Sequence, residues 1–89
     1  MAGIINGSVL ISYDIKFNHN EVKEELKKKG YLDYWVDQTG ETHELPNTTL
    51  IKDNTNVTAA KLEVQQICRH LRARLNKLVC VRFRIMSGI

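Results

Sequence analysis

Twice along this chain the apolar residues change their spacing, from every second position to every third or fourth, with a polar break at each change. The first period-two run is GSVLISYDI, residues 7–15. Val9, Ile11, Tyr13 and Ile15 fall on one side of it, and Ser8, Leu10, Ser12 and Asp14 on the other. Side chains alternate between the faces of a strand, so this run predicts a strand with one apolar face and one mixed face.

Helical spacing follows at once. Asn18 or Asn20 is a candidate N-cap, and Asn18 with Glu21 three residues on has the form of a capping box. In NEVKEELKKKG, Val22 and Leu26 share a face, glutamates gather at the positive end of the helix dipole, and Lys27, Lys28 and Lys29 at the negative end. Gly30 is placed to end the helix at C′. Residues 31–37 are aromatic and β-branched, residues 38–44 are turn-like around Gly40, and residues 48–52 are strand-like again. That pattern predicts a hairpin with a long loop, with Pro46 at the start of its second arm. Thr58 then caps a predicted helix whose stripe is Ala60, Val64, Ile67, Cys68, Leu71 and Leu75. The run LVCVRFRI, residues 78–85, closes the chain as a strand, with Val79, Val81, Phe83 and Ile85 expected inward and Cys80, Arg82 and Arg84 outward.

The order β-α-β-β-α-β predicts an α+β fold of ferredoxin-like βαββαβ type. Right-handed crossovers would place two helices on one face of a four-stranded antiparallel sheet, with the first and last strands adjacent. We read residues 1–89 as one domain, near the size at which a single core only just offsets chain entropy. The small core and uncovered sheet face predict a homodimer. The N-terminal MAGIINGSVL lacks a basic region and a long apolar run, and no stretch approaches the roughly 18–20 apolar residues of a membrane span. Cys68 and Cys80 fit buried thiols in a reducing compartment. The expectation is a cytoplasmic protein with no membrane partner.

Charge is unevenly distributed. Residues 1–57 carry six lysines against nine acids, whereas residues 58–89 carry seven basic residues against Glu63 alone, and every arginine lies in that last part. Guanidinium groups suit phosphate, so Arg69, Arg72, Arg82 and Arg84 are the candidate nucleic-acid contacts, with Arg82 and Arg84 expected on the open face beside Ser12 and Asp14. The same charges also serve to balance the acidic half of the domain. His19, His43, His70, Cys68 and Cys80 show no zinc-type spacing, and no phosphate-cradling glycine loop or GxSxG motif is present. Trp35, Tyr31 and Tyr34 suit either packing or base stacking. Asp14, at the end of the first strand, is the one candidate magnesium ligand and catalytic residue; a strand-end charge paired with an arginine is the alternative.

The segment Val9-Leu10-Ile11-Ser12-Tyr13-Asp14, with LPNTTLIK (residues 45–52) where a third strand would fall, resembles the small CRISPR-associated ferredoxin-like nuclease subunit of spacer acquisition and the related SinR-like small proteins. That resemblance implies a symmetric dimer in which Asp14 binds Mg²⁺ for phosphodiester cleavage, and a prokaryotic or phage origin. The chain departs from the family in carrying EVKEELKKKG, with three glutamates, in place of an arginine-rich first helix, and in lacking a serine-phenylalanine signature after the second strand. The expectation is a small dimeric nucleic-acid-associated protein with at most weak Mg-dependent nuclease activity, the residues arguing for binding over catalysis. The alternative is a non-catalytic protein-protein interaction module, an inhibitor or adaptor on the same fold.

Overall fold

The computed structural model describes residues 7–83, so Arg84 and Ile85 lie outside the described residues. The elements run β1 (Gly7–Ile15), α1 (His19–Lys28), β2 (Tyr34–Val36), β3 (Thr42–Glu44), β4 (Thr49–Thr55), α2 (Val57–Leu71) and β5 (Leu75–Phe83). The molecule is α+β, with two helices and antiparallel sheets. No described helix is long and apolar enough to cross a membrane.

β1 is the centre of a three-stranded sheet ordered β4-β1-β5, antiparallel on both sides. Its period-two pattern holds: Val9, Ile11, Tyr13 and Ile15 are buried, and Asp14 is exposed. Val22 and Leu26 of α1 and Ala60, Val64, Ile67 and Cys68 of α2 close over that row as one core. Burial of a full aliphatic side chain contributes roughly 1.5–3 kcal/mol, so this row and the two helix stripes are the main source of stability.

The expected four-stranded sheet is not what forms. The fourth position beside β4 is held by a single bridge, Leu32 with Ile51, whose amides and carbonyls exchange bonds at 2.7 and 2.9 Å. One residue later the chain turns away, because Asp33 is claimed by α1 and by Leu45. Its carboxylate meets Lys23 at 3.5 Å and Lys27 at 3.7 Å, and its carbonyl accepts from the Leu45 amide at 2.9 Å. β2 then pairs only with β3, as a separate two-stranded hairpin. Residues 48–52, expected as the second arm of that hairpin, belong instead to the β4 partner of β1, which runs on to Thr55 through the segment expected as a polar connection.

The helix ends also differ in detail. α1 takes Asn18 as N-cap with φ 61° and no side-chain cap bond, while Gly30 ends it as expected at φ 102°. The Gly30 amide bonds to Lys27 and the Tyr31 amide to Leu26, the paired bonds of a Schellman motif. α2 is capped by Asn56, whose side chain accepts from the Ala59 amide at 2.8 Å, and not by Thr58. Under the helices, the Tyr31 hydroxyl donates to Glu63 Oε1 at 2.8 Å, and Lys52 Nζ approaches the same carboxylate at 3.3 Å.

The last strand reverses its expected phase. β5 begins at Leu75, which belongs to the strand and not to the α2 stripe, and the register slips between the pairs Asp14–Lys77 and Ile15–Leu75. Beyond that irregularity Leu78 and Cys80 pack on the core, while Val79 and Val81 face outward, 54% and 44% exposed. Arg82 pairs with Val9 and so lies on the helix-covered side, not on the open face with Ser12 and Asp14. A bulge inserts one residue into a strand and shifts every side chain beyond it to the other face.

Candidate functional site

One corner of the domain gathers cations. α2 ends in a second Schellman motif, in which the Ala73 amide bonds to Cys68 O at 2.8 Å and the Arg72 amide to Arg69 O at 3.3 Å. Arg72 sits at φ 54° and Arg74 at φ 50°, with Ala73 fully buried between them. This left-handed conformation suits glycine and costs other residues about 1–2 kcal/mol. Burying Ala73 leaves the arginines on either side exposed.

The turn after β1 is clasped onto this connection. The Lys16 amide reaches Ala73 O at 3.1 Å and Arg74 O at 3.2 Å, and the Phe17 amide reaches Ala73 O at 3.2 Å. Asn18 Nδ2 donates to Leu71 O at 2.7 Å, which satisfies a carbonyl of the last turn of α2. Lys77 stands opposite Asp14 in the β1–β5 ladder, one residue from the clasp. Lys16, Arg69, Arg72, Arg74 and Lys77 are all exposed. The ion pairs among the described residues engage Lys23, Lys27, Lys28, His43 and Lys52, and none of these five. Asp14 on β1 and Glu21 in the first turn of α1 are the acids nearest the clasp in sequence, with Glu24 and Glu25 further along α1 and Glu63 on α2. Phe17 projects from the same turn, half exposed, with Lys16 Nζ 5.7 Å from its ring centroid.

Of the residues expected from sequence, Arg69 and Arg72 lie at this corner. Arg82 does not. It pairs with Val9, five ladder positions from Lys77 and so about 17 Å along the strand, and its guanidinium lies over Gly7. Arg84 is outside the described residues. Lys16, Phe17, Arg74 and Lys77 are not among the residues expected from sequence; the signal for Arg74 is Arg72-Ala73-Arg74, a small apolar residue between two arginines near the end of the helix stripe.

Asp14 lies outside the one group of three metal-donor side chains among the described residues. The ladder sets it opposite Lys77, and the ion pairs among the described residues include none between the two.

The donor cluster that does form is Asp37, Glu41 and His43, whose ligand atoms lie within 4.8 Å of one another at the turn of the hairpin. Its geometry is accounted for by the hairpin itself. Asp37 Oδ1 accepts from the Thr39 amide at 2.9 Å, the Thr39 hydroxyl at 2.6 Å and the Glu41 amide at 3.0 Å, while Oδ2 meets His43 Nε2 at 2.7 Å. The bond to His43, with those from Thr39 and Glu41, holds the Asp37 carboxyl far below the usual carboxylate range. Trp35 stacks on the His43 ring at 4.6 Å between centroids and 22° between planes. Both thiols are pushed up by burial, which keeps Cys68 and Cys80 protonated and poorly nucleophilic.

No family model, curated protein or solved structure matches this chain.

Proposed function

We propose that this chain is a non-catalytic nucleic-acid-associated module that holds the sugar-phosphate backbone at the corner where the β1–α1 turn meets the α2–β5 connection. The observation that carries the reading is the set Lys16, Arg69, Arg72, Arg74 and Lys77, exposed and without acidic partners among the described residues. Two of these arginines occupy a backbone conformation that disfavours arginine, and strain of that kind concentrates at functional positions. We further read the architecture as ferredoxin-like, with the second strand reduced to the Leu32–Ile51 bridge and its hairpin splayed from the sheet. The adjacency of β1 and β5 and the packing of both helices on one face support that reading.

The test is a salt series of binding to labelled RNA and DNA. Affinity is expected to fall steeply with salt, because phosphate contacts release counterions, and the joint change Arg72→Ala/Arg74→Ala is expected to lower the slope of log K against log salt by about 1–2. Arg82→Ala is expected to have little effect. Absence of binding at 50 mM salt, or equal losses from Arg82 and from the corner pair, would overturn the proposal.

A second reading, homodimerisation or protein docking through the open sheet face, is favoured by Val79 and Val81, which are exposed beside the outer edge of β5, unpaired among the described residues. It predicts that Val79→Lys/Val81→Lys lowers the mass seen in sedimentation while the melting temperature holds.

A further inference from the structure

We infer that the corner selects single-stranded nucleic acid, with Phe17 as the platform on which one base stacks. The inference rests on the corner being the nucleic-acid surface and adds the strand class to it.

Phe17 is the large apolar side chain in a turn that otherwise offers Lys16, Asn18 and His19 to solvent, and half its surface is exposed. Its mount is rigid. The amides of Lys16 and Phe17 are both bonded to the α2–β5 connection, and Asn18 is bonded to the end of α2. An aromatic ring held this way loses little freedom when a base settles on it, and base stacking is indifferent to sequence because every base has a π-face. Lys16 Nζ lies 5.7 Å from the ring centroid, and the connection that accepts the Lys16 and Phe17 amides carries the exposed Arg72 and Arg74, so cations stand on the segments that the phosphates on either side of a stacked base would pass.

Duplex DNA or RNA fits this corner less well. Its bases are already stacked within the helix, and readers of duplex sequence insert a helix or a two-stranded ribbon into the major groove. Here the ends of α1 and α2 and two turns face outward, so a duplex is limited to phosphate contacts. The other exposed aromatics, Tyr34 and Trp35, are weaker platforms: one face of Trp35 is taken by His43, and both stand on a hairpin flanked by Asp33, Asp37, Glu41 and Glu44, which repel phosphate.

The experiment compares single-stranded RNA, single-stranded DNA and a duplex of equal length by fluorescence anisotropy at low salt, using wild type, Phe17→Ala, Phe17→Tyr and Arg72→Ala/Arg74→Ala. Phe17 is exposed, so its variants are expected to melt as wild type does. Tighter binding of single strands is expected. Phe17→Ala should weaken that binding about tenfold with the salt slope unchanged. The same variant should leave duplex binding alone, and Phe17→Tyr should restore wild-type behaviour. If the arginine pair matters but Phe17→Ala is silent, or weakens duplex and single strand alike, the stacking inference falls and the phosphate surface stands. If wild type binds none of the three, both fall together.

Discussion

The backbone amide of Lys16 lies 3.2 Å from the carbonyl oxygen of Arg74, and this bond joins the exit of the central strand to the approach of the last one. It fixes the position of an arginine cluster that the local sequence alone would leave loose. Arg72, on the other side of buried Ala73, reaches the same corner at φ 54°.

Arg72→Gly is expected to separate the backbone role of this position from its charge. Glycine relieves the left-handed strain but adds freedom to the unfolded chain, for a net gain of up to about 1 kcal/mol. In a domain of this size the full 1 kcal/mol raises the melting temperature by roughly 4–8 °C, and a smaller gain proportionately less. Nucleic-acid affinity is expected to fall in the same variant. Arg72→Ala keeps the strain and loses the charge, so it should weaken binding equally with no gain in melting temperature.

The contrast between β1 and β5 explains how much of this arrangement was legible in the sequence. In β1 one phase is wholly apolar and the other carries Ser8, Ser12 and Asp14, so the buried face could be assigned without the structure. In the last strand, LVCV is apolar in both phases, and Arg82 and Arg84 are the guide to which face looks outward. That guide misled, because arginine at a sheet margin can lay its stem over the surface and keep its head in water, and because the register slip before Lys77 is not encoded by a glycine or proline. The missing fourth strand has a similar cause: Asp33 is drawn off by lysines of another element, a contact between segments that no local pattern displays. The corner escaped notice for the same reason, since its parts come from two turns far apart in sequence.

Alkaline pH is expected to destabilise the fold through two buried phenols. Burial pushes the Tyr13 hydroxyl up to about 12 from an ordinary value of 10.0. Burial, and then the hydrogen bond to Glu63, push Tyr31 further still. A raised folded value means that the contribution is fully present below the unfolded value. As pH rises past 10 the unfolded chain releases protons that the folded chain retains, so stability falls until Tyr13 itself ionises near 12. The two raised thiols begin the same trend nearer 9. Urea unfolding between pH 8 and about 11.5 should show the decline, and Tyr13→Phe should flatten part of it. A profile identical to wild type in that variant would mean that Tyr13 is not the titrating group.

At the opposite end of the pH scale the hairpin gives way first. Asp37 has a folded value far below its ordinary 3.8, chiefly through His43, so its support is complete above that value and is lost as pH falls below it. Trp35, the single tryptophan, stacks on His43 and reports the change. Its emission is expected to shift under strongly acidic conditions while the circular dichroism of the main sheet persists. Asp37→Asn should show the shifted emission already at neutral pH. Emission in that variant matching wild type would show that Asp37 does not hold the hairpin.

Asp14 distinguishes a binding module from a nuclease most directly. It is exposed, stands across the ladder from Lys77, and is an acid beside the cationic corner. If the corner holds phosphates, Asp14 opposes them, and Asp14→Asn should tighten binding roughly twofold, an effect that fades as salt screens the charge. If two copies of Asp14 instead met across a dimer axis to hold Mg²⁺, the same change would abolish any Mg-dependent cleavage and would loosen metal-dependent binding. The two readings therefore give opposite signs in one titration, run with and without Mg²⁺. The ladder of a single chain favours the tighter complex, because it sets Lys77, and no second acid, opposite this carboxylate.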